Sequence, residues 1–220
     1  MARAGQAAAG VPPSRRVDPR RARTRTALIN AAQQLLADGR VEVSIQEITH
    51  VAGVGFGSFY NHFEDKPQLW ATAVSETLRA HGEVVEELTR DFDDPAEVFC
   101  VGLRLTGRLP RSFPQLSRVL LHIGMTAVLA DEGGLIAQAR RDLEAAIAAG
   151  RLDVDADLGM HVTTGSMLGL IALLDAEPNL DAGAVADDHA IRILRAFGLS
   201  DGDARELVAR PLPDITAALE

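Results

Sequence analysis

Residues 25–70 read RTALINAAQQLLADGRVEVSIQEITHVAGVGFGSFYNHFEDKPQLW, and this stretch decides the fold. Leu28, Ala31, Ala32, Leu35 and Leu36 recur at the i, i+3, i+4, i+7, i+8 spacing of one buried helix face, and Gly39 stops the run. Ser44 followed by Glu47 is a capping box. It opens a second helix, with Ile45, Ile48 and Ala52 on one side and Gly53 at its end. A short third helix is expected over 55–62. Asp65 can cap a long fourth helix over about 65–90, with Pro67 tolerated in its first turn. Two short helices joined by a tight turn form a helix-turn-helix, whose second helix enters the DNA major groove. Five of the nine aromatic residues fall between Phe56 and Trp70, so rigid side chains are concentrated here.

Ile45, Ile48, Ala52, Val54, Phe59 and Phe63 are expected to hold the two helices together, with Leu69 and Trp70 also in the core. The outward groups are Phe56, Ser58, Tyr60, Asn61 and His62. They can donate to phosphate, accept from bases, or touch a thymine methyl. Lys66 sits in the opening turn of the fourth helix, where its charge and the exposed N–H groups can meet a phosphate. Taken one at a time, Tyr60 and His62 could equally be structural residues and Asn61 a simple helix cap.

The chain has 220 residues, and its 47% hydrophobic content can build a sizeable core. The net charge of −9 argues against nucleic acid until its placement is considered. Residues 1–25 hold seven Arg against one Asp, whereas residues 26–220 carry a local −15. A basic arm therefore leads into the helix-turn-helix, and the acidic bulk would lie away from phosphate. The one cysteine, Cys100, allows no disulfide within the chain, which fits a reducing cytoplasm. The longest apolar run singled out, Met167 to Leu174, falls far short of the ~20 residues of a membrane span. The six His and one Cys have no metal-ligand spacing, and no cofactor is expected. Gly53-Val-Gly-Phe-Gly57 resembles a phosphate loop but follows a capped helix rather than a strand. No nucleophile elbow occurs. Nothing nominates a nucleophile and its base, so no enzyme is expected.

Beyond residue 90 the periodicity stays helical, giving an all-α fold. Helices are expected at about 94–108, from 112 onward, after a break at Gly133-Gly134 to about 149, at about 155–176 and at about 184–197. The domain reading is a disordered basic arm over 1–18, a helix-turn-helix domain over 19–64, a helical bundle over 65–200 and a tail over 201–220. Gly165 and Gly169 lie four apart on one helix face, and Ala172 extends that face, so another helix could approach closely.

The stretch from Arg25 to Trp70 resembles the tetracycline-repressor (TetR) family of bacterial transcription regulators. The likeness rests on Ala31-Ala32, Leu35-Leu36 and Gly39, then Ser44-Ile45, Ile48-Thr49 and Ala52-Gly53-Val54, then Gly57-Ser58-Phe59-Tyr60-Asn61-His62-Phe63, Lys66 and Leu69. About a fifth of the chain is covered. The resemblance implies that Ser44, Tyr60, His62 and Lys66 bind phosphate, and it leaves Gln46, Phe56, Ser58 and Asn61 as candidates near base edges. Two positions depart from the family. Gly55 replaces the usual Ser or Thr cap of the recognition helix, and Phe56 stands where a polar or basic residue is common.

The resemblance also implies a ligand-binding and dimerisation domain after the helix-turn-helix. Candidate ligand contacts are Phe99, Leu103, Phe113, Leu120, Met125 and Met167 with His122, His161 and Thr164, since mostly apolar walls with a few polar groups suit a small organic ligand. The alternative is an ordinary core with satisfied polar residues. Candidate dimer contacts are Gly165, Gly169, Ala172, Ile191 and Leu194. The expected partners are a near-palindromic DNA operator, a second copy of the chain and a small hydrophobic ligand, with no membrane. The expected function is a repressor released from its operator by that ligand. Two other readings stay open: a DNA-binding regulator with no small ligand, and an all-α enzyme or carrier.

Overall fold

The computed structural model describes residues 19–129 and 134–213. Every regular element among them is helical, as the periodicity requires. The helices are α1 (Pro19–Ala37), α2 (Ile45–Val51), α3 (Phe56–Phe59), α4 (Lys66–Thr89), α5 (Pro95–Thr106), α6 (Leu109–Ser112), α7 (Pro114–Leu129), α8 (Gly134–Ala148), α9 (Ala156–Ala176), α10 (Ala182–Ala196) and α11 (Asp201–Ala209).

The predicted stripe of α1 is buried at all five positions. The Ser44 hydroxyl accepts from the Glu47 N–H at 3.2 Å. Only this half of the capping box forms as expected, because the Glu47 carboxylate turns to Arg40. Gly53, at φ +65°, supplies the left-handed turn between α2 and α3 that a side chain would strain. Helix α3 is shorter than the periodicity suggests. It makes a single turn, and Tyr60, Asn61 and His62 continue as turns. Gly55 offers no capping side chain, and Gly57 and Asn61 are poor helix formers. Asp65 accepts from the Gln68 N–H at 2.8 Å and starts the 24-residue α4.

Three boundaries differ from the sequence reading. Pro110 and Pro114 each occupy the opening turn of a helix, so the segment after α5 splits into α6 and α7 about Phe113. Helix α10 begins early because the Asp181 carboxylate accepts from the Gly183 and Ala184 N–H groups. Residues 201–209, read as part of a tail, instead form α11. Ser200 accepts from the Asp203 N–H at 3.1 Å, acidic residues occupy the first turn, and Ala204, Leu207 and Val208 are buried. The 1–18 arm and residues 214–220 lie outside the described residues.

One continuous core runs from Leu28 in α1 to Val208 in α11. Helix α4 is common to both ends of the molecule. Its first half packs on α1, where Gln33 donates to Thr77 at 3.2 Å. Its second half makes the most extensive helix–helix contact of the fold, with α8. There a Cβ at Gly82 would stand 3.2 Å from the Leu135 Cα, and one at Gly134 3.0 Å from the Arg79 Cα. The two backbones therefore touch with no side chain between them. Arg104 on α5, 5% exposed, donates to Asp187 on α10 at 2.8 Å and to the Arg210 carbonyl at 2.9 Å, tying α11 to the bundle. Helix α9 is long and apolar enough to cross a membrane by length and composition, unlike the short runs noted in the sequence. Its apolar residues Met160, Met167, Leu170, Ile171 and Leu174 are spent on the core.

Candidate DNA interface and ligand cavity

The helix-turn-helix packs as its pattern demands. Ile48, Phe59, Phe63, Leu69 and Trp70 are buried, and Ile45, Ala52 and Val54 pack half-buried against them. Full burial of Phe59 contributes about 2–3 kcal/mol, and its ring anchors its neighbours. Tyr60 sits edge-on to Phe59 at 5.3 Å, and Phe56 edge-on to Tyr60 at 5.9 Å. Both Phe56 and Tyr60 are more than half exposed. Ser44, Gln46 and Asn61 are also exposed, with Ser58 and His62 half-buried.

A polar cleft joins Ser58, Asn61 and His62 to Arg20, Arg21 and Thr24 at the start of α1. Arg21 donates to the Asn61 carbonyl at 3.1 Å, and Arg25 stacks over the Phe63 ring at 5.4 Å. Burial, then the charges of Arg21 and Arg25, push the His62 imidazole below its ordinary value. Lys66 is less free than its sequence position implies. Its ammonium donates to the Val43 carbonyl at 3.0 Å, bracing the start of α4 against the loop before α2. One of its three protons is committed there.

A cavity of about 80 Å³ lies inside the bundle, bounded by α4 to α9. Its walls are apolar, from Leu78 and Val85 on α4, Phe99 and Leu103 on α5, Leu116 and Leu120 on α7, and Met160, Met167 and Ile171 on α9. The polar groups among its lining residues include Gln138 and Asp142 on α8 and Thr163 and Thr164 on α9. Gln138 donates to Asp142 at 2.9 Å. Burial pushes the Asp142 carboxyl up to about 6, against the opposing pull of Arg141 and Gln138. The Thr163 hydroxyl is buried with no hydrogen-bond partner among the described residues. Such a group carries a desolvation cost of about 1–3 kcal/mol that a bound donor or acceptor would relieve.

Five predicted ligand contacts line this cavity: Phe99, Leu103, Leu120, Thr164 and Met167. Three others do not. Phe113 is turned to solvent at the α6–α7 break, Met125 is exposed on the outer side of α7, and His161 is exposed on α9 with its ring 2.7 Å from the Asp157 carbonyl. The inward positions of α9 are 160, 163, 164, 167 and 171, so 161 falls on the opposite face. The side chain of His122 lies outside the described residues. Sequence reasoning missed Gln138 and Asp142, although they lie i, i+4 on one helix face with Leu135, a polar pair inside an apolar stripe.

Of the predicted dimer contacts, Gly169 and Ala172 are exposed and Gly165 is half-buried. They belong to an outer face of α9 that also presents Leu158, Val162 and Leu173 to solvent. Leu194 is a correction: it is fully buried in the chain's own core and unavailable to a second copy. Ile191 also packs half-buried against that core. Both turn inward because α10 directs its apolar face to α5 and α9.

Comparison with known proteins agrees with this architecture. A family model described as "Tetracyclin repressor-like, C-terminal domain" matches residues 94–210. A solved structure of RolR in complex with resorcinol is 33% identical, with TM-score 0.71, and the alignment covers 89% of this chain and 98% of that one. RolR without ligand is 31% identical, with TM-score 0.75, covering 86% and 99%. FadR from Bacillus subtilis in complex with stearoyl-CoA is 16% identical with TM-score 0.61, covering 80% and 99%, a likeness of fold alone. No curated protein matches the sequence at a significant level.

Proposed function

Since this chain belongs to the tetracycline-repressor (TetR) family of transcriptional regulators, we propose that it is a homodimeric repressor that leaves its DNA operator when a compact organic ligand enters the α4–α9 cavity. One observation carries the reading. Helix α4 begins against the loop before α2, where Lys66 reaches the Val43 carbonyl, and the same continuous helix lines the cavity with Leu78 and Val85. Whatever fills the cavity must push on the element that positions the recognition helix.

In this reading Tyr60, His62 and Ser44 hold phosphates, while Gln46, Phe56, Ser58 and Asn61 face base edges. Two copies joined through the outer face of α9 would set two recognition helices about one DNA turn, roughly 34 Å, apart and read a near-palindromic site. The cavity size favours a compact ligand over a long acyl chain. Its about 80 Å³ is roughly half of the ~150 Å³ that accommodates benzene in an engineered protein cavity. Even one ring must therefore displace side chains, and that displacement is the differential interaction a switch requires. The resorcinol bound by RolR is of this size class.

The test starts from duplex DNA selected out of a random pool by the full chain. Operator affinity is then titrated with single-ring phenols, including resorcinol, and with stearoyl-CoA. The expected result is a hundredfold loss of affinity with a ring compound, equivalent to about 2.7 kcal/mol of coupling, and no loss with the acyl thioester. Failure to enrich any sequence would remove the DNA-binding reading. An operator indifferent to every compound would remove the ligand-release reading alone.

A further inference from the structure

Phe56 is the first residue of α3 and is 52% exposed. Its ring is nonetheless in contact with a neighbour. The ring meets Tyr60 edge-on at 5.9 Å, Tyr60 meets Phe59 at 5.3 Å, and Phe59 is fully buried. A ladder of ring contacts thus runs from the core to the surface and ends on Phe56. The glycines on either side leave the approach clear: a Cβ at Gly57 would meet no atom within 4 Å, and one at Gly55 only the Ser58 hydroxyl at 3.7 Å.

The polar groups of this region gather elsewhere. Ser58, Asn61 and His62 share their cleft with Arg20, Arg21 and Thr24. The surface around α3 is therefore divided, with hydrogen-bonding and cationic groups toward α1 and two exposed rings apart from them. The first residues of a recognition helix are the ones that reach base edges. Among the four unmodified bases, the major groove presents a single apolar group, the thymine C5 methyl.

The geometry points to Phe56 as a specificity-determining residue that packs on the C5 methyl of one thymine in each operator half-site. This rests on the DNA-binding reading above. A pre-oriented ring loses little freedom on contact, and burying one methyl is worth about fourfold in affinity, or about fifteenfold when both half-sites are counted.

Deoxyuridine differs from thymidine in this methyl alone, so it supplies the test. The operator selected by the full-length wild-type chain is resynthesised with each thymine in turn replaced by deoxyuridine, symmetrically in both half-sites. One position is expected to lose about fifteenfold in affinity with no change in the slope of affinity against salt concentration. In Phe56→Ala that position should bind thymine and deoxyuridine equally. Phe56→Gln, which can bond adenine in two places, should select adenine there. Circular dichroism would show both variants folded, since the replaced side chain is exposed. An operator in which no thymine methyl matters, or a methyl effect that persists in Phe56→Ala, overturns the inference while leaving DNA binding intact. Failure to select any operator overturns both.

Discussion

Burial of single polar groups sets how this molecule responds to acid. His81 on α4 contacts the Thr106 hydroxyl at 3.3 Å, and burial lowers its pKa from 6.5 to about 4. As pH falls, the unfolded chain takes up this proton first. The stability that comes from keeping the ring neutral is whole above pH 6.5 and is lost progressively toward pH 4. In urea unfolding, the stability of wild type relative to His81→Leu should fall by about 2 kcal/mol between pH 7 and pH 5. A difference that stays constant would show that His81 is not held neutral. Asp142, pushed up to about 6, has the opposite slope, but it is present in both proteins and cancels in the difference. Residues whose neighbours are close in sequence were readable from the sequence: Phe59, Phe63 and Leu69 went to the core, and Phe56 and Tyr60 to the surface. Residues whose environment comes from distant helices were not. The carbonyl that holds Lys66 belongs to Val43, and nothing in the spacing near residue 66 points to it.

Capping chemistry marked several element starts in advance. Ser44, Asp65, Asp94 and Asp155 each accept from an N–H two or three residues on, and each helix begins where that residue stands. Ser200 and Asp203 make the same signature for α11, but the helix is nine residues long and its apolar face only three, too little periodicity to stand out. The recognition helix lacks such a cap, since Gly55 contributes no side chain. The backbone at Gly55 (φ −67°, ψ 143°) suits serine, and the space there is free of close contacts. Gly55→Ser should stabilise the protein by about 0.5–1 kcal/mol, through a new cap and a stiffer unfolded chain. Calorimetry should then show Tm higher by about 1–4 °C. An unchanged or lower Tm would mean that the serine hydroxyl does not reach the α3 N–H groups.

At the scale of the whole molecule, the helical period of α9 predicted two faces, and the chain's own packing decides which one is spent. The cavity takes 160, 163, 164, 167 and 171, leaving Leu158, Val162, Gly169, Ala172 and Leu173 uncovered. The period could not assign His161 to the outer set, because that depends on which side α7 and α8 approach. In the proposed dimer, Val162→Arg places a charge in the interface while leaving the 38%-exposed position compatible with the monomer fold. Light scattering should show the mass halved at micromolar concentration, and operator affinity should fall at least tenfold, since each monomer then holds one half-site. A variant that keeps the wild-type mass would move the interface elsewhere.

The bare contact between α4 and α8 makes α4 a lever with a hard pivot. Side chains at a helix interface absorb small shifts by changing rotamer, and two touching backbones have no such slack. From Gly82 to Lys66 is 16 positions, or roughly 24 Å of helix. A tilt of about 5° at the pivot would therefore carry the recognition end by roughly 2 Å. In the proposed complex a shift of that size would lift the Phe56 ring off its methyl group, so a ligand that only tilts α4 would take the reading head out of register.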